Sequence, residues 1–386
     1  MESIELFAGA GGLGLGLGLA GFKPRAVIER DKWACDTVRE NQRLGHPMVL
    51  DWPLVESDIY RVDFESYPKN IDLISGGPPC QPFSLGGKHA AFKDRRDMFP
   101  VTVDIVRRIR PKAFILENVK GITRKAFANY FQYIQLQLTF PEIVRKKSEA
   151  WIGRLARLER RKTTGSAGGL TYNVAARLVN AADYGVPQRR ERVFIVGFRS
   201  DIDAGWSFPL PTHSLEALMD SQWRTGEYWD IHQVPRKKRP PRPLKFAAHS
   251  REPMFPAINV RPWRTIRDAF VGLPDPRDMD ASAEYRNHKF QDGAKAYPGH
   301  TGSPLDMPAK TLKAGDHGVP GGENMLVAPD GTMRYFTVRE AARLQTFPDG
   351  YYFHGSWTET MRQLGNAVPV ALARIVGASV AEHLGR

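Results

Sequence analysis

Residues 3–22 read SIELFAGAGGLGLGLGLAGF, a short β-type run followed by glycine at nearly every second position. Gly9, Gly11 and Gly14 satisfy G-x-G-x-x-G, the turn that lets a backbone approach a dinucleotide closely. An acidic residue, Glu29, follows about twenty positions after Gly9, where such a fold holds a ribose. The glycines alone leave two readings open, a nicotinamide enzyme or a fold that holds another adenosine-bearing cofactor.

The rest of the N-terminal half repeats strand and helix. KPRAVIERD (23–31) is a second strand ending in Glu29, and KWACDTVRENQRLG (32–45) is a helix stopped by Gly45. VESDIY (55–60) and IDLISGG (71–77) are further strands, the second halting abruptly at GGPPCQPFS (76–84). DMFPVTVDIVRRIRPKAFILENVKG (97–121) gives a helix, a turn at Pro111 and the buried strand AFILEN; TYNVAARLVNAADYG (171–185) and RVFIVGFRSD (192–201) continue the alternation. This order predicts an α/β fold with a mostly parallel sheet and helices on both faces. Ligands in such sheets sit at the carboxyl ends of the strands, where Gly9 to Gly12, Glu29, Asp58, Cys80 and Glu117 all fall.

After Asp201 proline and glycine become dense, and regular periodicity is scarce through about residue 334. With 386 residues available, the expected division is a catalytic and cofactor-binding domain over 1–199 and 355–386, and a smaller loop-rich recognition domain with a hinge over 200–354.

Lys and Arg number 55 against 42 Asp and Glu, a formal net charge of +13, which suits a polyanionic partner. Most of the surplus lies outside the second domain, including RKKSEAWIGRLARLERRK at 145–162. Within that domain RKKRPPRPLK (236–245) is a local basic stripe that reads equally as a solvated linker. Two cysteines exclude a disulfide framework or a four-thiolate zinc site, and the scattered histidines predict no metal. Glu5 interrupts the opening apolar run, and alternating glycine makes a poor helix, so no membrane span or secretory leader is expected and the protein reads as cytosolic.

Cys35 falls on the helix after Glu29 and reads as a packed core thiol. Cys80 differs. Pro78, Pro79 and Pro82 stiffen its loop, and the adjoining glycines leave room for a flat ring, which makes the thiol a nucleophile candidate. Glu117, ending the next strand, is the acid or hydrogen-bond donor that could complete its chemistry.

The ordered blocks ELFAGAGGLGLG, VIERD, SDI, GGPPCQPFS, RRDMF, ENVKG, DYGVPQRRERVFIVGF, REAARLQTFPD and GNAVP resemble those of the DNA (cytosine-5) methyltransferase family, from residue 4 to about 375. The resemblance implies S-adenosylmethionine as cofactor. Phe7, Ala8, Gly9, Gly11 and Gly12 would line the site, Glu29 take the ribose hydroxyls, and Asp58 and Ile59 meet the adenine. Arg30, Pro79 and Met98 join the cofactor set, and Asn366 and Val368 would close the pocket. Arg30 stands where the family often has a bulky apolar residue covering the adenine.

By the same resemblance Cys80 attacks carbon 6 of a flipped-out cytosine and Glu117 holds ring nitrogen 3 and the amino group. Arg192 would donate to the cytosine carbonyl, Arg190 brace the catalytic loop or a phosphate, and Gln188 give structural support. The loop SLGGKHAAFKDRRDMF (84–99) is expected to close over double-stranded DNA, with Gln81 and Ser84 touching the flipped nucleotide or filling its gap. Thr311 and Leu312 resemble the family's Thr-Leu pair at the recognition loops. The resemblance points to a monomeric bacterial modification enzyme paired in function with a restriction endonuclease. A transfer-RNA methyltransferase would carry a Cys-Phe-Thr block, which this chain lacks, and a binding protein that had lost catalysis would have decayed at Cys80, Glu117 or Arg192.

Overall fold

The opening strand β1 (Glu2–Leu6) is buried on both faces, Ile4 and Leu6 on one and Ser3 and Glu5 on the other, as a central parallel strand must be. Around it, in a computed structural model that describes residues 1–80, 97–165, 168–202, 205–242, 260–298, 301–314 and 324–385, lie β2 (Lys23–Glu29), β3 (Leu54–Glu56), β4 (Leu73–Gly76), β5 (Ala113–Val119), β6 (Tyr172–Asn180) and β7 (Glu191–Arg199). They form one sheet in the order β3-β2-β1-β4-β5-β7-β6. The pairs from β3 to β5 are parallel, and β7 runs antiparallel to β5, with Glu117 opposite Phe194 and Val119 opposite Arg192. The chain fills one side through β2 and β3, then crosses β1 to begin the other side at β4. That reversal is the switch point at which open α/β sheets bind ligands.

The glycine-rich stretch departs from its expected form. Gly12–Leu19 is a helix, α1, rather than an extended turn. Glycine is a poor helix former, by ~1 kcal/mol per residue against alanine, yet here proximity requires it. A Cβ on Gly14 would fall 1.9 Å from Glu5 Oε2 and 2.9 Å from the Trp52 ring. Leu13, Leu15 and Leu17 are buried, and the Gly14 N–H donates to Glu5 Oε1 at 3.0 Å. Close packing outweighs propensity.

Helix α2 (Lys32–Arg43) begins at Asp31, whose carboxylate accepts from Ala34 N at 3.0 Å. Helix α3 (Phe99–Ile109) has Pro100 in its first turn and ends at Arg110, with φ 55° just before the expected turn at Pro111. α4 (Ala128–Thr139) follows β5, and the basic run at 145–162 supplies most of α5 (Trp151–Thr164). Arg154 is the buried exception in that run: its guanidinium donates to Ile143 O at 2.9 Å and Gln137 Oε1 at 2.8 Å. The main core joins Ile4, Leu6, Ile74, Phe114, Leu116 and Ile195 of the sheet to α3 and α4.

The chain divides into two compact units, residues 1–179, 191–208 and 373–386, and residues 180–190 and 209–372. This division differs from the expected one at 180–190 and 355–372, both of which belong to the second unit, and at 200–208, which belongs to the first. Buried Arg190 shows why, since its guanidinium bonds carbonyls of Leu312, Gly365 and Ala367. The second unit has a short parallel pair, His213–Ser214 with Arg261–Pro262, and a three-stranded sheet of Ser303–Pro304, Met325–Val327 and Met333–Tyr335. Its core gathers Tyr228, Trp229 and Trp263. Trp357–Leu384 is long and apolar enough by composition to cross a membrane, but its most apolar window is 67% buried inside the protein.

Candidate active site

At the end of β1 the backbone turns through a left-handed Phe7 (φ 55°), Gly9 (φ 56°) and Gly11 (φ 89°). A non-glycine residue in that region is strained, and such strain gathers at ligand sites. The turn is tied to Glu29: Gly9 N–H donates to Oε2 at 2.7 Å, and the Arg30 and Asp31 amides donate to Oε1, each at 2.7 Å. Both carboxylate oxygens are thereby fixed. A Cβ on Gly9 would meet nothing within 4 Å, so open space adjoins the turn.

Asp58 lies past β3 and accepts from Tyr60 N at 3.0 Å; Ile59 beside it is buried. Arg30 extends into solvent, 3.9 Å from Asp58 Oδ2, so a salt bridge stands where the family it resembles often has an apolar residue. Cys35 is fully buried, its thiol 3.6 Å from Glu29 O, and burial pushes its pKa up to about 12. It is a packed thiol, as its helix position implied.

Cys80 lies beyond the end of β4 and is 7% exposed. Its backbone is held from two sides. Asn118 Nδ2 donates to Pro78 O at 2.9 Å, and Met98 N–H donates to Pro79 O at 3.0 Å. Cys80 itself pairs with Asp97 in an antiparallel bridge. Glu117, near the end of β5, is 7% exposed, and Arg192 Nε donates to its Oε1 at 2.9 Å. Burial pulls the Arg192 guanidinium below its ordinary pKa, opposed by the Glu117 charge. Gly77 lies next to this pair, and a Cβ there would stand 3.3 Å from Glu117 Oε2, close enough to press on the carboxyl group. Arg192 Nη1 also donates to Glu191 O at 2.8 Å. The arginine therefore steadies the carboxyl group.

Gln81 and Ser84, with residues 84–96 of the loop expected to close over DNA, lie outside the described residues. Two of the expected site residues are buried in the second unit. Arg190 is wholly buried and gives its guanidinium protons to Leu312 O at 3.2 Å, Gly365 O at 2.7 Å and Ala367 O at 2.8 Å. It braces the GNAVP segment. Leu312 is 1% exposed, and its N–H donates to Gln188 Oε1 at 3.1 Å. Gln188 is thus structural support, while Thr311 gives its hydroxyl proton to Arg189 O at 2.7 Å. Asn366 is exposed at the end of its helix and Val368 is buried.

Reading the sequence missed Asp97, Asn118 and His213. Asp97 and Asn118 stood inside the quoted blocks RRDMF and ENVKG without a role of their own. His213 packs against Gly185, where φ is +80° and a Cβ would lie 2.6 Å from the ring. Burial and the nearby Arg261 and Arg264 lower its imidazole to about 4, so it is a neutral packing element.

The chain resembles known proteins along nearly its whole length. The family model described as C-5 cytosine-specific DNA methylase matches residues 1–140 and 161–382. Among curated proteins, the chain is 31% identical to type II methyltransferase M.PspPI of Psychrobacter sp. (strain TA137), over 99% of this chain and 79% of that protein. It is 29% identical to type II methyltransferase M.NgoPII of Neisseria gonorrhoeae, over 100% of this chain and 97% of that one. Among solved structures, the S. pombe Dnmt2 methyltransferase shares the fold at a TM-score of 0.56 and 18% identity, over 100% of this chain and 98% of that chain. With a fixed acidic residue beneath the glycine turn, a braced cysteine and a buried Glu–Arg pair at neighbouring strand ends, and a family match along nearly its whole length, the chain belongs to the C-5 cytosine-specific DNA methylases.

Proposed function

We propose that this enzyme methylates carbon 5 of a cytosine within a fixed duplex sequence, with Cys80 as nucleophile and S-adenosylmethionine as methyl donor. The observation that carries the reading is the pair of braced strand ends, Cys80 past β4 and Glu117 on β5, beside the Glu29-anchored turn of β1. The cofactor's groups fit what is present. Open space beside Gly9 admits the methionine end, Glu29 faces the turn with its orientation set by three amides, and Asp58 with Ile59 offers a polar and an apolar contact for the adenine. When bound, S-adenosylmethionine supplies an electrophilic methyl group.

The residues do the rest. Cytosine carbon 5 is a poor nucleophile, so the ring's conjugation must first be interrupted. The Cys80 thiolate forms a bond to carbon 6, and the displaced electron pair gives carbon 5 the character of an enamine carbon. Glu117 holds nitrogen 3 and the amino group, a contact that strengthens as negative charge enters the ring and so lowers the barrier. After methyl transfer a base removes the carbon 5 proton, the pair returns to the ring, and the Cys80–carbon 6 bond breaks. Because this chemistry needs both faces of the ring, the base must leave the stack, at a cost of a few kcal/mol that protein contacts offset.

The enzyme acts on cytoplasmic DNA as a monomer, protecting the sequence that a companion restriction endonuclease cuts. The test is to incubate plasmid DNA with methyl-labelled cofactor and map 5-methylcytosine by bisulfite sequencing. Label at one cytosine of one short recurring sequence supports the reading; label on adenine, on RNA, or nowhere overturns it.

A further inference from the structure

One hydroxyl close to Cys80 has no part in the reaction described. Tyr130 is buried on α4, its ring 6.2 Å from that of Tyr133, and its hydroxyl donates to Asp97 Oδ2. Asp97 Oδ1 accepts from Phe99 N at 3.1 Å, which ties the same carboxylate to the start of α3. Asp97 is also the residue that pairs with Cys80. Side chains directly opposite across an antiparallel pair lie on one side of it, so carboxylate and thiol are neighbours. Burial, Asp97 and Cys80 all raise the Tyr130 hydroxyl above its ordinary pKa, which keeps it a donor across the working range.

We propose that Tyr130 is a positioning residue for Cys80: acting through Asp97, it fixes the place of the thiol and moderates the negative charge beside it. This rests on the reading of Cys80 as the nucleophile. A neighbouring carboxylate disfavours a thiolate, and a hydrogen bond donated to that carboxylate reduces the penalty. Among the described residues, the other titratable groups coupled to this locale are Tyr133 on α4 and Tyr60, with Asp58, beyond β3, while the Glu117–Arg192 pair lies on β5 and β7. Tyr60 and Tyr133 are phenols, and Asp97 is the charged group to which Tyr130 donates.

Tyr130→Phe keeps the ring and removes only the donor. The expected result is methyl transfer slowed about tenfold, the size of one hydrogen bond to a charged group, with the KM for S-adenosylmethionine and the melting temperature unchanged. The pH midpoint for iodoacetamide alkylation of Cys80, followed by peptide mapping, should move upward, and adding Asp97→Asn should bring it back. Unchanged turnover and midpoint in Tyr130→Phe overturn the proposal. So does a slow variant with a lowered melting temperature and an unmoved midpoint, since that is the behaviour of a merely structural tyrosine. If the unsubstituted enzyme forms no Cys80 adduct with 5-fluorocytosine DNA, the nucleophile reading itself fails, and the proposal with it.

Discussion

Glu29 gives its two carboxylate oxygens to three backbone amides, so its worth to the enzyme lies in orientation as much as charge. Replacing it with alanine should weaken S-adenosylmethionine binding by at least about tenfold, given ~1.5–3 kcal/mol for a hydrogen bond to a charged group. Calorimetric titration checks this, and an unchanged affinity would place the ribose elsewhere. Cys80→Ser should abolish turnover yet leave cofactor binding intact, because the hydroxyl is a far weaker nucleophile and Cys80 is not part of the Glu29 turn; methyl transfer at the normal rate would remove the covalent step. Both residues stand out in the sequence as candidates, since each lies within a short block of distinctive neighbours. The surroundings of Arg190 do not. QRRER offers several arginines of identical chemistry, and only the fold shows that this one is spent on carbonyls while Arg192 meets Glu117. Tyr130 gave no signal at all, because its partner Asp97 lies 33 positions away and their contact depends on how α4 packs.

At the scale of elements, α1 shows where propensity misleads. LGLGLGL reads as a poor helix, and the closeness of Gly14 to Glu5 is a tertiary fact that no local pattern carries. Gly14→Ala should therefore destabilise the protein by about 1–3 kcal/mol, the usual cost of overpacking, rather than stabilise it as alanine would on an open helix. Chemical denaturation decides between the two signs. Glu5 adds a pH dependence. Burial raises its carboxyl from the ordinary 4.5 to about 8, against the lowering effect of the Gly14 amide. Between those values the native state holds a proton that the unfolded chain has released, so stability is greatest at the acid end and falls as pH rises toward 8. Glu5→Gln should flatten that part of the profile. Parallel urea midpoints for the two proteins from pH 5 to 8.5 would contradict the assignment. By contrast β1, β2, β4 and β5 were legible, because strands buried on both faces are short apolar runs that end in glycine, proline or an acid.

For the whole molecule, order was legible and boundaries were not. Alternating strands and helices forecast the sheet, whereas residues 180–190 and 355–372 join the second unit through buried contacts such as Arg190 that lie far apart in sequence. The charge of +13 also has a location. Residues 141–160, which the family model leaves unmatched, carry Arg145, Lys146, Lys147 and Arg160 on the surface, with Lys162 just beyond. If these meet phosphates outside the recognised sequence, changing all five to glutamine should make log K against log salt shallower by about 0.9 for each phosphate no longer neutralised, with the target sequence unchanged. An unaltered slope on long duplexes would assign the phosphate contacts to other cations.

The central claim is that Cys80 bonds covalently to the target base, and a duplex carrying 5-fluorocytosine at the methylated position tests it most directly. Fluorine blocks the final loss of the carbon 5 substituent, so with S-adenosylmethionine present the enzyme should form a stable protein–DNA adduct whose cross-linked peptide contains Cys80. An adduct through another side chain, or none under conditions where ordinary DNA is methylated, would contradict the account.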